Sequence, residues 1–118
     1  MSVEAKLKAA LGPFGDPVEA NLLYAAADQL PPRYYTFALS SRGDDFSDDE
    51  PGCEVWQVSV HFFAPLDGNY ARRQRQTKQA LHRAGFTWPR CVDASDQEGQ
   101  HLVFECEIVE EVEVDGEI

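Results

Sequence analysis

A regular alternation of apolar and polar residues runs through residues 54–63 and is the strongest structural signal in the chain. Successive side chains of a β-strand point to opposite faces of the sheet, so a period of two residues is typical of a strand with one face in the core. The apolar face carries Trp56, Val58, Val60 and Phe62, and the polar face carries Gln57, Ser59 and His61. This pattern predicts a central strand.

The same alternation predicts further strands over residues 34–41 and from His101 onward. In the first of these strands one face carries Tyr35, Phe37 and Leu39, and the other carries Tyr34, Thr36 and Ser40. In the last strand the apolar face carries Leu102, Phe104, Cys106 and Ile108, and the polar face carries Glu105 and Glu107. Residues 87–92 are consistent with a short strand that Pro89 confines to a sheet edge or a strand start. Residues 18–24 are interpreted as a strand, although the alanines at 25–27 leave a helix open.

Two helices are predicted from composition and from end signals. Residues 3–11 are rich in good helix formers, with Ser2 as N-cap and Gly12 and Pro13 as the stop. A second helix over residues 69–84 begins at the capping residue Asn69 and ends before Gly85. Its apolar stripe consists of Tyr70, Thr77, Leu81 and Ala84.

The remaining segments are polar. Residues 42–52 hold Gly43, Pro51, Gly52 and five acidic residues and are interpreted as an exposed loop, and residues 93–99 as a turn. Residues 112–118 are expected to form a flexible C-terminal tail. The order α-β-β-β-α-β-β therefore predicts an α+β fold, with a mainly antiparallel sheet of four to five strands and both helices packed on one face.

Size and charge narrow the class of protein. The chain has 118 residues, with 10 Lys and Arg against 21 Asp and Glu and a net charge of −11. This length favours a single domain over residues 1–118. The apolar runs are too short to span a bilayer, and the N-terminus lacks the apolar stretch of a signal peptide, so no membrane association is expected. The acidic balance argues against sequence-specific nucleic-acid binding.

The sequence offers little chemistry for catalysis or for metal binding. The odd count of cysteines (Cys53, Cys91 and Cys106) contains no CxxC pair, and the histidines (His61, His82 and His101) are far apart along the chain. Structural zinc sites usually draw on closely spaced ligand pairs. The acidic segment lacks the alternating ligands and the central glycine of a calcium loop. With no catalytic motif present, we expect a protein that is not an enzyme and has no cofactor.

The charge is distributed unevenly along the chain. The second helix carries half of the basic residues, and no Asp or Glu occurs from 68 to 92. The basic helix has three interpretations: an ordinary solvated face, a contact with nucleic acid, or a contact with the acidic segment of a neighbouring copy. The net charge favours the contact with a neighbouring copy. The candidate interface residues are Arg72, Arg73, Arg75, Lys78 and Arg83 on the helix, and Asp44, Asp45, Phe46, Asp48, Asp49 and Glu50 in the acidic segment. Phe46 either anchors such a contact or folds back onto the core.

Several segments resemble small tail proteins of long-tailed phages and prophages. They are YYTF at 34–37, SRGDDFSDDEP at 41–51, VSVHFFAPL at 58–66, AGFTWP at 84–89 and DASDQEGQH at 93–101. Over residues 15–108 the resemblance is closest to the tail-terminator, or tail-completion, family. It implies a virion structural subunit that forms a hexameric ring, caps the tail tube and meets the head connector. Its implied location is the virion tail, and the bacterial host cytoplasm during assembly.

Three alternatives remain open at this point. The chain could be another phage neck or tail component of similar fold. It could be an acidic DNA-mimic inhibitor whose charge imitates duplex phosphates, although the basic residues clustered on one helix count against that role. It could also be a small enzyme or metal-binding domain that uses His61 and the acidic segment.

Overall fold

The computed structural model describes residues 2–20, 31–47 and 50–111, and within them the chain forms five strands and two α-helices. The helices are α1 (Val3–Leu11) and α2 (Ala71–Arg83), and a 3-10 turn at Gly12–Phe14 follows α1. The strands are β1 (Val18–Ala20), β2 (Tyr34–Ser47), β3 (Glu50–Ala64), β4 (Arg90–Asp93) and β5 (Gln100–Glu111). The α+β class and the order of elements predicted from the sequence are confirmed.

The strands form one mixed sheet in the order β1-β2-β3-β5-β4. β3 is the central strand, as its alternation predicts, and it pairs antiparallel with both β2 and β5. Val58 lies between Leu39 and Cys106, so three core-facing side chains share one row across the sheet. β1 pairs parallel with β2, and β4 forms the opposite edge beside β5.

Both helices begin and end at the predicted signals. The Ser2 hydroxyl oxygen accepts the Ala5 N–H at 3.1 Å at the start of α1, and the Asn69 side-chain oxygen accepts the Ala71 N–H at 2.8 Å at the start of α2. After α2, Gly85 adopts φ 107°, a conformation that glycine reaches without steric cost. The Gly85 and Phe86 N–H groups donate to the carbonyls of His82 and Leu81, both at 3.1 Å, and these bonds close the end of the helix.

The core lies between the two helices and one face of the sheet. Leu7, Leu11 and Leu81 of the helices are fully buried and belong to one cluster with the apolar residues of β2, β3 and β5. The only polar side chains in the described part of the chain that are classed as buried are Thr36 and Thr77. Thr77 shares a hydrogen bond of 2.9 Å with the Tyr35 hydroxyl, so its burial leaves no polar group unpaired.

The prediction of an exposed loop over residues 42–52 is wrong. β2 continues to Ser47 and β3 starts at Glu50, so the acidic segment forms the outer part of a long β-hairpin. The register is unbroken, with Asp44 opposite Cys53 and Ser47 opposite Glu50. The composition of this segment rules out a core, but a two-stranded ladder requires only backbone hydrogen bonds and tolerates solvent on both faces.

Three of the predicted features lie outside the described residues. They are residues 21–24 of the strand predicted over residues 18–24, Asp48 and Asp49 of the acidic segment, and the C-terminal tail at 112–118. The hairpin makes the molecule long, with extents of 54 × 29 × 24 Å. β5 follows β3 only as far as the pair of Cys53 and Glu111, so the last residues of the hairpin have no third strand beside them in the described part of the chain.

Candidate protein-protein interface

The solvent side of α2 carries a basic surface. Arg72, Arg75 and Arg83 are exposed, and none of them forms an ion pair with another described residue. Lys78 is half-buried at the side of the helix. With 3.6 residues per turn, Arg72, Arg75 and Arg83 lie on one face. No carboxylate on α2 neutralises them, since the helix contains no acidic residue.

Arg73 belongs to the fold rather than to this surface. Its guanidinium donates to the Asp16 carboxylate at 2.6 Å and lies 5.0 Å from the ring centroids of Phe14 and Phe62. It therefore joins α2 to the segment after α1 and to the central strand. Arg73 precedes Thr77 and Leu81 by one and two helical turns, which places it on the buried stripe. We therefore remove it from the candidate interface.

Trp88 extends the basic surface toward the β4 edge of the sheet. Its side chain is 54% exposed and contacts the His82 ring edge-on, with 5.6 Å between the ring centroids. Together with Arg75 and Lys78 it lines a shallow groove of about 290 Å³. An exposed Trp bordered by cations is typical of an anchor at protein interfaces. The charge pattern along the chain does not indicate Trp88, which follows the last residue of α2 by five positions.

The acidic hairpin end is remote from α2. The C-terminal end of α2 lies near Ile108, because a Cβ at Gly85 would lie 3.5 Å from Ile108 Cδ1, and Ile108 is opposite Trp56 on β3. From Trp56 to Glu50 the strand advances about six residues, or roughly 20 Å. The basic surface and the acidic end of the hairpin therefore occupy different parts of one molecule.

A histidine pair occupies the other face of the sheet. His61 and His101 are far apart in the sequence, but β3 and β5 bring them together, with Nδ1 of His61 2.7 Å from Nε2 of His101. The Ser59 hydroxyl lies 3.1 Å from Nε2 of His61, and the Phe63 ring stacks on His101 with 4.2 Å between centroids. Burial lowers the pKa of both histidines, and the nearby His101 lowers that of His61 further. A lowered pKa favours the neutral form of both rings.

The structure does not join this pair to the acidic segment. Thr36 lies opposite His61, and Asp44 lies opposite Cys53, so about eight residues, or roughly 26 Å, separate them along the hairpin. Within the described residues, no group of three or more His, Cys, Asp or Glu side chains could hold a metal ion. Within one chain, this register holds His61 and Asp44 too far apart to share one site.

The thiols of β4 and β5 are poor nucleophiles. Burial raises the pKa of Cys106 to about 12 and also raises the pKa of Cys91, so both groups remain protonated at neutral pH. Cys106 is buried in the core cluster, where it packs as a small apolar side chain.

Comparison of the sequence with protein-family models and with curated proteins gives no match. In the part of the chain that the structure describes, no helix combines the length and the apolar composition that crossing a membrane requires.

Proposed function

We propose that this protein is a non-enzymatic structural subunit of a phage tail. In this proposal, copies of the chain associate head to tail into a hexameric ring that caps the tail tube and joins it to the head connector. The ring location and the neighbouring proteins come from the sequence resemblance to the tail-terminator family. The mode of self-association is supported by the separation of charge within the molecule.

That separation is the observation that carries the proposal. One end of the molecule is an acidic hairpin whose tip lies about 20 Å beyond the C-terminal end of α2, and another part presents the exposed arginines of α2 without a carboxylate on the same helix. A contact between two different patches of the same chain is heterologous, and such contacts repeat until the rotation closes a ring. In this contact the basic side chains of one copy would face the acidic segment of the next copy, with Phe46 and Trp88 between them. The basic side chains are Arg72, Arg75, Lys78 and Arg83, and the acidic ones are Asp44, Asp45, Asp48, Asp49 and Glu50.

Charge reversal tests this pairing. Arg75→Glu places a carboxylate in the proposed acidic contact, so self-association should weaken at least about tenfold, because like charges at an interface are costly. Lys8→Glu is the matched control: Lys8 is exposed on α1, pairs only with Glu4 among the described residues, and its reversal changes the net charge equally. Light scattering behind size exclusion, at low and high salt, measures both variants.

A reciprocal swap adds a rescue arm. The double variant Arg72→Glu/Arg75→Glu should abolish assembly, and adding Asp44→Lys/Asp45→Lys should restore it by exchanging the signs. The charge pairing would be ruled out if the Arg72→Glu/Arg75→Glu variant still assembled. It would also be ruled out if Lys8→Glu weakened assembly as much as Arg75→Glu does. A DNA mimic would instead remain monomeric in all variants and bind a basic nucleic-acid enzyme.

A further inference from the structure

The contact between the two histidines on the sheet face opposite the helices holds a single proton. Nδ1 of His61 lies 2.7 Å from Nε2 of His101, the distance of a hydrogen bond in which one nitrogen donates and the other accepts. Each neutral imidazole carries one N–H. Whichever ring donates, the neutral pair therefore has one proton in the contact and one on an outer nitrogen, which is Nε2 of His61 or Nδ1 of His101.

The four ring nitrogens accommodate a third proton but not a fourth without breaking this contact. The first proton added in acid occupies the outer nitrogen that is still free. At Nε2 of His61, this proton faces the Ser59 hydroxyl oxygen, which lies 3.1 Å away and can accept a hydrogen bond. The next proton has to enter the contact with His101, where two N–H groups would face each other at 2.7 Å and two imidazolium charges would repel.

Carboxylates face the pair from β5 and from the turn between β4 and β5. Burial lowers the pKa of both rings, and these negative charges act in the opposite direction on His61 from one side and on His101 from the other. On β2, Thr36 is opposite His61, and Tyr34 is in the same row as His101, and neither side chain titrates in the range of an imidazole. The carboxylates that act on the rings are those of Glu105 on β5 and of Asp93 and Asp96 around the turn, and Glu98 borders the same groove as His101.

The turn holds two of these carboxylates in place beside His101. The Ser95 N–H donates to the Asp93 carboxylate at 2.9 Å, and the Glu98 N–H donates to the Asp96 carboxylate at 2.9 Å. The backbone of His101 is tied to the same turn, because its N–H donates to the Ser95 hydroxyl oxygen at 2.9 Å. A charged His101 ring therefore has fixed negative charges on the side away from His61.

We infer that the histidine pair is a pH-operated switch, which takes up one proton with its contact intact and opens when it takes up the second. In the open state the His101 ring leaves His61 and turns toward Asp93 and Asp96, whose carboxylates balance its charge. The two protonation steps belong to the pair rather than to either ring, because each charge alters the affinity of the other ring for a proton. The switch works within one chain and does not depend on the proposed ring of subunits.

Nitrogen-15 NMR of the unaltered protein between pH 8 and pH 4 tests the two steps. The ring nitrogens of His61 and His101 should report two protonation steps at least about one pH unit apart. The scalar coupling between the two nitrogens of the contact should persist through the first step and vanish in the second. A single step for both rings, a coupling that survives full protonation, or global unfolding in place of local opening would overturn the switch.

Single substitutions separate a coupled pair from two independent histidines. In His61→Gln, the remaining His101 has no second charge beside it, so it should titrate in one step, at a pH above the second step of the pair. Asp96→Asn should move the second step to lower pH, since the amide oxygen still accepts the Glu98 N–H but no charge balances His101. Glu4→Gln, which removes an equal charge on α1, should leave both steps unchanged. A second step that is the same in Asp96→Asn and in the unaltered protein would overturn the open state.

Discussion

At the scale of single residues, Arg73 shows how one side chain of a basic helix can stabilise the fold while its neighbours remain on the surface. Its guanidinium lies between two aromatic rings and pairs with Asp16, and both charged side chains are only about one fifth exposed, at 21% and 19%. Partial burial strengthens both contacts relative to a solvated ion pair. The spacing of four residues between Arg73 and Thr77 indicates that both lie on the buried side of α2. A count of basic residues does not distinguish this position from the exposed ones.

Replacement of Arg73 should therefore destabilise the monomer. Arg73→Ala removes the ion pair and both ring contacts, and we expect it to lower the free energy of unfolding by about 2 kcal/mol. Arg72→Ala, one residue away on the exposed face, should stay within about 0.5 kcal/mol of the unaltered chain. Urea unfolding at low protein concentration measures both variants. Equal effects of the two substitutions would show that Arg73 has no special structural role.

The histidine pair predicts a loss of stability at acidic pH. The pKa of both His61 and His101 is lower in the folded state than the ordinary value of 6.5, chiefly through burial. The unfolded chain therefore binds protons first as the pH falls. Above the unfolded-state pKa of about 6.5 the pair makes its full contribution to stability. This contribution is lost as the pH falls through the lower pKa values of the folded state. Glu105, Asp93 and Asp96 lie nearby and limit the shifts.

Thermal unfolding at pH 7 and at pH 5.5 tests this expectation. The unaltered protein should lose stability on acidification, and the double variant His61→Gln/His101→Gln should lose less, because its side chains do not titrate in this range. The Asp93 carboxylate has a lowered pKa through its hydrogen bonds to Ser95, so it stays ionised at both values. An identical loss in both proteins would show that other groups cause the pH dependence.

At the scale of elements, α2 and the turn after it depend on the backbone conformation of Gly85. The positive φ of 107° allows the two hydrogen bonds that end the helix and aims Phe86 into the core, where it is 1% exposed. Any other residue at this position incurs backbone strain, even though the space around a new Cβ is ordinary.

Gly85→Ala should accordingly lower the free energy of unfolding by about 1–2 kcal/mol. Gly68→Ala is the control, because Gly68 has no positive φ and a Cβ there meets nothing within 4 Å. Chemical denaturation of the two variants side by side makes the comparison. A Gly85→Ala protein as stable as Gly68→Ala would mean that the backbone relaxes without cost after the helix.

The elements differ in how far the sequence predicts them. Alternation predicts β3 and β5, and end signals predict both helices, because these patterns reflect local geometry and a single buried face. The acidic half of the hairpin escapes prediction, since its strands are held by backbone pairing without a core. The contact of His61 with His101 and the parallel pairing of β1 with β2 depend on register between distant segments, which no local pattern encodes.

At the scale of the whole molecule, the chain is asymmetric and presents different surfaces at its two sides. Among the described residues, β1 and β4 are the outer strands of the sheet, the helices cover one face, and the acidic end of the hairpin lies apart from the basic surface of α2. Such a subunit favours a heterologous contact between two different surfaces. A closed ring is the finite assembly in which every copy uses both of these surfaces. The net charge of −11 keeps separate copies apart in solution, so assembly should depend on salt and on concentration.

Native mass spectrometry over a range of protein concentrations tests the closed ring most directly. We predict a single assembly of six chains, about 79 kDa from subunits of 13.2 kDa, which grows in abundance with concentration and is never exceeded in size. Electron micrographs of the same sample should show rings of uniform diameter. A monomer at every concentration, or an open series of ever larger species, would contradict the account.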